Sequence, residues 1–360
     1  MAAPISTIEK LGVIPVLART YLAALIRLVT APFSAGGGAP NRFKDAMYAG
    51  FRTQFAITTI AQQQYMFPGT EENYLELARK EAFQPDSIVL PDGCKAHWLG
   101  PKNGEVILVY FHDTLFSGGG YVLPCTPGHI KWLLDLTQSL SASHSVSSVL
   151  LGYTVAPGAQ YPTQLRQAAE LLDHLINKEG KRPENIIVAG DSAGGNLTLA
   201  LMSHIMHPHP ALPHNKLSLS SPLRAAVLIS PWVKFKPDDA SVTRNRNSDM
   251  INAPAAEKWS SAFIGDKELD EYNQPSMAGD DWFAGLDNVV GDLLVWGGGG
   301  EVLIDSIDAM VQKLKRAFPK TEYVVEPHAA HEDFIIAVLL GYKDKQQGTV
   351  VIENWIAQRL

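Results

Sequence analysis

The sequence predicts an α/β chain: a mainly parallel eight-stranded sheet flanked by helices, with a helical lid. Three observations carry this. From Ser87 onward, short apolar runs alternate with amphipathic stretches, the texture of βαβ units. One run, Ile186-Ile187-Val188, enters Gly190-Asp191-Ser192-Ala193-Gly194 and leaves at once as a helical pattern of Leu197, Leu199, Ala200 and Leu201. A chain of 360 residues can also bury one large α/β core with an insertion. The expected division is a lid segment over residues 1–84 and a sheet domain over 85–360, interrupted by a lid insertion at about 232–286.

The first segment reads as helical and irregular. Leu11 to Val29 is apolar, but Arg19 and Arg27 interrupt it, so no uncharged run approaches the roughly 20 residues of a membrane span. The broken apolar core and the lack of a small-residue cleavage site also argue against a signal peptide. On a helix the two arginines fall within about 80° of each other, leaving an apolar face of Leu17, Leu22, Leu25 and Ile26. That face is expected to pack over the functional site; peripheral contact with a membrane surface is the alternative. A Gly/Pro break at Ser34 to Pro40 precedes expected helices over Asn41 to Gln64 and Glu71 to Glu81.

Strands are expected at Ser87–Leu90, Lys95–Leu99, Val106–Phe111, Ser148–Thr154, Asn185–Ala189, Ala225–Ile229, Asp292–Trp296 and Glu322–Val325. The clearest intervening helix is Pro162 to Ile176, with Leu165, Ala168, Ala169, Leu172, Leu175 and Ile176 on one stripe. In the polar insertion, Pro254 in a first turn marks a helix to Ala262. Connections this long in a compact domain are usually functional. The lid segments carry Phe51, Phe55, Tyr65, Met66, Phe67, Trp259 and Phe263, the makings of an apolar pocket.

A net charge of -7 and a pI near 5.9 offer no basic stripe for nucleic acid. Cys94 and Cys125 are too few for a disulfide framework and lie in no metal or redox spacing, so a reducing, cytoplasmic compartment is expected. His204, His207, His209 and His214 raise the thought of a metal. The intervening prolines break any helix that would present them together and no acidic ligand accompanies them, so a surface loop is expected.

A serine at the apex of a strand–turn–helix is lifted clear of the sheet, and small neighbours let two backbones approach closely. Its hydroxyl is a weak nucleophile until an imidazole accepts the proton and a carboxylate fixes that imidazole's tautomer. For such an elbow the order is serine, acid, histidine. Glu301 follows Leu293–Trp296 and Gly297–Gly300, just past a strand; Asp305, a helical turn on, is the rival and reads as a capping or orienting residue. His328 and His331 both sit in the loop after the last strand.

Further motifs occur in order: Tyr110-Phe111-His112 with Gly118-Gly119-Gly120-Tyr121, Tyr153 through Ala156-Pro157 to Tyr161-Pro162, and Gly190 to Gly195. Ser230-Pro231-Trp232, Glu301-Val302-Leu303-Ile304-Asp305 and Ala330-His331 complete the set. From about Ser87 onward the chain resembles the hormone-sensitive-lipase-like family of α/β-hydrolases, in its fungal-type esterase form. The resemblance implies a serine carboxylesterase acting through an acyl-enzyme on a small or medium hydrophobic ester, with no metal or organic cofactor. It implies catalytic roles for Ser192, Glu301 and His331, and oxyanion donors at Gly118, Gly119 and Ala193. Fungal relatives in specialised metabolism add acyl transfer or lactone or thioester processing on the same triad as an alternative. Plant gibberellin receptors, which resemble the family without a complete triad, add non-catalytic ligand binding. One departure bears on the choice: Asp113-Thr114-Leu115-Phe116-Ser117 separate His112 from Gly118, where the family's histidine runs directly into its glycines. Asp113, if it points inward, would oppose a developing oxyanion.

Overall fold

The structure is a computed structural model, and it describes residues 5–33, 38–113, 119–213 and 217–360. All eight expected strands pair into one sheet in the order β1-β2-β4-β3-β5-β6-β7-β8. β1 (Ser87–Val89) runs antiparallel to β2 (Lys95–Leu99), and β2 antiparallel to β4 (Val146–Gly152). The remaining pairs, through β3 (Val106–Phe111), β5 (Ile186–Asp191), β6 (Ala225–Ile229), β7 (Leu293–Gly298) and β8 (Thr321–Glu326), are parallel. Central strands β3, β5 and β6 are buried along their whole length, as expected of parallel strands covered on both faces.

The N-terminal segment forms α1 (Thr7–Thr30), α2 (Arg42–Ile57), α3 (Ile60–Met66) and α4 (Thr70–Lys80). The sheet is flanked by α5 (Pro127–Ser141), α6 (Thr163–Asp173), α7 (Ala193–Met206), α10 (Ile304–Ala317), α11 (Asp333–Leu339) and α12 (Gln347–Ala357). Between β6 and β7 lie α8 (Ala240–Arg244) and α9 (Ala253–Ile264). Asn252 caps α9 by accepting from the Ala255 N–H, and α9 meets α2: Phe55 and Trp259 pack edge to face at 5.6 Å.

Several expected boundaries move for identifiable reasons. The helix expected over Asn41 to Gln64 is two helices, because Thr58 is extended and Thr59 opens a new capping box with Gln62. β4 begins at Val146 and includes two buried polar residues: Ser147 accepts from the Gly104 N–H at 2.9 Å and Ser148 bonds Thr137 at 2.5 Å. Serines satisfied in this way are invisible to a hydrophobic scan.

α1 does not pack over the functional site. It lies along α2 and α3, burying only Val13 and Val16 among its described residues. Gly50 of α2 allows the approach, since a side chain there would stand 3.3 Å from the Thr20 carbonyl, and Arg27 bonds Asp45 at 2.7 Å. Leu17, Leu22, Leu25 and Ile26 are left exposed.

Candidate active site

Ser192 sits between β5 and α7 at φ 47° and ψ -109°, a backbone region that costs on the order of 1–3 kcal/mol for a non-glycine residue. Glycines make the turn feasible. A side chain on Gly194 would lie 1.8 Å from the Phe111 carbonyl oxygen, and one on Gly190 would lie 2.3 Å from that of Gly194. The serine backbone is held from both sides, its N–H donating to Ile229 at 2.8 Å and its carbonyl accepting from Trp232 at 2.9 Å. Ala193 opens α7 directly after it.

His331 reaches the site from the loop after β8, and its Nδ1 bonds Glu301 Oε2 at 2.7 Å. The other carboxylate oxygen of Glu301 accepts from the Gly298 N–H at 2.6 Å and the Ser230 hydroxyl at 3.0 Å. Both side chains are buried. Burial pushes the imidazole pKa down, but the bonded Glu301 and nearby Asp249 and Asp113 outweigh it, and the net shift is upward. His331 Nε2 has no hydrogen-bond partner among the described residues. The rivals lie elsewhere: Asp305 accepts from the Ser241 N–H and pairs with Arg244, and His328 is exposed.

Gly118 lies outside the described residues. Gly119 accepts from the Val122 N–H at 2.6 Å. Gly120 has φ 43°, and a side chain there would stand 2.7 Å from Trp259. Asp113 does point inward: buried, it lines a tight cleft of about 10 Å³ with Gly120, Ser192, Trp232, Ile251, Ala256, Trp259 and Leu303. A larger cavity, about 600 Å³, lies elsewhere, between the α3–α4 region and the Asp92–Lys95 turn, and Ser192 does not line it.

Behind the serine lies a buried acidic group. The Asp113 N–H donates to Asp191 Oδ2 at 3.0 Å, and His129 Nε2 bonds the same oxygen at 2.9 Å. Glu332, next to His331, is fully buried at φ 52°, with Oε1 3.5 Å from His331 Nε2 and Oε2 3.7 Å from His129 Nε2. Burial, then Asp191 and Asp113, push the Glu332 pKa well above its ordinary value. Burial alone would raise Asp191, but His129 beside it holds it down at about 2. Burial likewise takes His112 down to about 3; its ring stacks on Tyr153 at 4.4 Å, making it a neutral anchor.

A family model described as alpha/beta hydrolase fold matches residues 108–335, which span this whole site. The chain belongs to the α/β-hydrolase fold family. Within it the relatives are hormone-sensitive-lipase-like. Human hormone-sensitive lipase is 31% identical over 173 residues, 41% of this chain and 15% of that protein. Steryl acetyl hydrolase 1 of Saccharomyces cerevisiae is 28% identical over 132 residues, 36% of this chain and 27% of that one. An acetyl-hydrolase of Streptomyces hygroscopicus is 27% identical over 169 residues, 46% of this chain and 50% of that one. The chain thus spans half or less of the length of these relatives. Among solved structures, an esterase from the bacterial hormone-sensitive lipase family superposes with a TM-score of 0.63 at 22% identity, covering 96% of this chain and 98% of that one. Carboxyl esterase 2 of Tuber melanosporum gives 0.61 at 20% identity, covering 77% and 87%.

Several residues of this α/β-hydrolase site escape a sequence reading. Asp249 accepts from the backbone of Val302 at 2.6 Å and His331 at 3.2 Å, fastening the acid and histidine loops to each other; burial raises its pKa to about 6. Asp333 accepts from Lys44 and Tyr48 of α2, tying the histidine loop to the N-terminal segment. Among the described residues, the histidines of the 204–214 stretch form no metal-ligating group. His204 accepts from the His209 N–H, His209 bonds Tyr161, His207 bonds the Trp282 carbonyl, and His214 lies outside the described residues.

Proposed function

We propose that the protein is a serine carboxylic-ester hydrolase acting on short acyl esters, acetyl esters above all. The carrying observation is the buried His331–Glu301 hydrogen bond close to Asp113, which lines one cleft with Ser192, a serine strained onto an elbow. Ser192 Oγ attacks the acyl carbon as His331 Nε2 takes its proton, and Glu301 stabilises the resulting imidazolium. The imidazolium returns the proton to the leaving alcohol, and water activated by the same histidine releases the acid. The amide of Ala193, with Gly118 and Gly119, is assigned to the oxyanion, at on the order of 3 kcal/mol per donor. The small cleft walled by Trp232 and Trp259 supports a short acyl group, as do relatives named acetyl hydrolases. The lid in this reading comprises residues 1–84 and the insertion at 232–286.

Hydrolysis of p-nitrophenyl acetate, butyrate and octanoate tests this. The expected rate is highest on acetate, and Ser192→Ala is expected to lower it by at least about 10³-fold; wild-type turnover in the variant overturns the reading. Product analysis with an added alcohol separates hydrolysis from acyl transfer. Asp113 in the cleft favours one second reading, a non-catalytic ligand-binding protein. Stoichiometric labelling of Ser192 by a fluorophosphonate excludes it.

We further propose that α1 rests on an anionic membrane surface on the cytoplasmic side. Ile8, Leu11, Ile14, Tyr21, Leu22, Leu25, Ile26 and Val29 are all more than half exposed. The helix is also basic, with Lys10, Arg19 and Arg27 against Glu9, in a chain of net charge -7. By length and composition α1 is also long and apolar enough to cross a membrane, but lying on the surface keeps its Arg27–Asp45 tie to α2. The unpaired, buried Cys94 and Cys125 support the reducing compartment.

A further inference from the structure

We propose that Asp249 is a positioning residue of the hydrolytic site: it fixes the acid loop against the histidine loop and adds a second buried negative charge, after Glu301, to stabilise the His331 imidazolium. The inference rests on the hydrolase reading. Asp249 lies on the insertion between β6 and β7, far in sequence from the histidine loop, yet its carboxylate bonds both loops. Oδ2 accepts from the Val302 N–H, one residue past Glu301, at 2.6 Å. Oδ1 accepts from the His331 N–H at 3.2 Å and from the Met250 N–H at 2.7 Å.

Those three bonds select the ionised form. Both oxygens accept from backbone N–H groups, so a proton on either one would face a donor. Asp249 is fully buried, and burial raises its pKa to about 6, which still leaves it ionised at neutral pH. A carboxylate held in this way is both a clamp and a charge.

Neighbouring insertion residues share the clamping without the charge. Asn245 donates to the Glu301 carbonyl at 2.7 Å, Ser248 to that of Gly300 at 2.7 Å, and Ser241 to that of Val302 at 2.6 Å. The acid loop is a run of glycines, Gly297 to Gly300, ending at Glu301, and glycine brings little stiffness of its own. The insertion supplies what the loop lacks, and a misplacement of about 1 Å in such a site can cost on the order of 10²-fold in rate. Among these residues Asp249 is the one that also bonds the histidine loop.

The charge acts in company. Facing His331 are Glu301 from the loop after β7, Asp113 from the loop after β3, Glu332 from its own loop, and Asp249. Facing Asp249 are His331, Glu301, and Arg52 and Tyr48 of α2, with Arg52 donating to the Asp249 main-chain carbonyl. Burial lowers the His331 pKa, while Glu301, then Asp249 and Asp113, raise it. Without the Asp249 charge the imidazolium is harder to form, so His331 stays neutral to lower pH.

The test compares pH profiles of kcat/KM on p-nitrophenyl acetate, with kcat and KM resolved above the acid limb. Asp249→Asn keeps the shape and loses the charge. Its kcat is expected to fall at least about tenfold with KM within about threefold of wild type, and its acid limb to move to lower pH by about 0.5 or more. Asp249→Glu keeps the charge and is expected to keep the limb in place. Ser248→Ala removes one neutral bond to the same loop and is expected to lower kcat without moving the limb. An unmoved limb or an unchanged kcat in folded Asp249→Asn, or the same displacement in Asp249→Glu or Ser248→Ala, overturns the proposal. Circular dichroism identifies a variant that fails to fold. Asp249→Ser, which leaves space for a water to answer the amides, then replaces Asp249→Asn; if neither neutral variant folds, the residue is structural and the proposal fails. A folded wild type that turns over no ester overturns the hydrolase reading itself, whereas an active wild type beside an unaffected Asp249→Asn overturns this inference alone.

Discussion

His331 has a carboxylate at each nitrogen, and the two act in opposite senses. In the proposed mechanism Glu301 at Nδ1 supports the imidazolium that forms when Ser192 gives up its proton, whereas an ionised Glu332 beside Nε2 would trap that charge before any substrate arrives. The reaction needs neutral His331, and the His331 pKa is raised above 6.5, so kcat/KM is expected to fall as pH drops through a value above 6.5. Glu301→Gln moves that limb to lower pH and lowers kcat by about 10²–10⁴; an unmoved limb in a pH–rate profile contradicts the assignment. The stability sign follows from the same shift. A raised histidine pKa stabilises the fold fully below the unfolded value and less as pH rises through the folded one. Denaturant melts should therefore show Glu301→Gln costing more near pH 6 than near pH 9. Gly194→Ala is expected to leave no folded elbow, since its methyl would sit 1.8 Å from the Phe111 oxygen; soluble expression and near-ultraviolet dichroism report it. At this scale the sequence marks candidates where residues sit in a local pattern: Ser192 between glycines, Glu301 past a strand, His331 after the last strand. It was silent on Asp113 with Glu332, and on Asp249, because those meet only when loops far apart in sequence converge. Glu332 is a neighbour of His331, yet its inward direction is set by a left-handed backbone that no spacing rule reports.

Elements were the most legible level, and their failures have simple causes. The central strands covered on both faces read as continuous apolar runs, and all eight strands were found; β4 begins two residues before its expected start, where the buried Ser147 with its satisfied hydroxyl follows Val146. The Thr58-Thr59 break lay hidden inside an otherwise helical pattern, since a capping box looks polar and ordinary from sequence. In the proposed reading α9 bears most on substrate size. Trp259 is nearly fully buried, bonds Gln63 at 3.1 Å and covers Gly120. Trp259→Ala is expected to cost about 3–5 kcal/mol of stability and to shift the preference from acetate toward octanoate. Thermal melts and the ratio of kcat/KM values check both, and an unchanged ratio would remove Trp259 from the acyl wall.

For the whole molecule, the N-terminal segment is both a buttress and an outboard surface. α2 holds α9 through Asn252 to the Arg52 carbonyl at 2.7 Å and Lys258 to the Phe55 carbonyl at 2.7 Å, and holds the histidine loop through Asp333. α1, on the far side of α2, presents its apolar face outward. Which face of α1 would be open could not be read from composition, because both faces are largely apolar and Gly50 on a different helix decides the docking. Leu22→Glu with Leu25→Glu is expected to abolish flotation with anionic vesicles while leaving hydrolysis of a soluble ester within about twofold, since surface changes away from a site are usually small in effect. Equal flotation by wild type and variant contradicts the membrane contact.

The most direct measurement is intact mass after fluorophosphonate treatment, run beside the pre-steady-state time course on p-nitrophenyl acetate. The account predicts one adduct per chain, placed on Ser192 by peptide mapping, absent in Ser192→Ala and strongly slowed in His331→Ala, with a burst of p-nitrophenol of up to one equivalent where deacylation limits turnover. A folded wild-type protein that takes no label and releases no p-nitrophenol would contradict it.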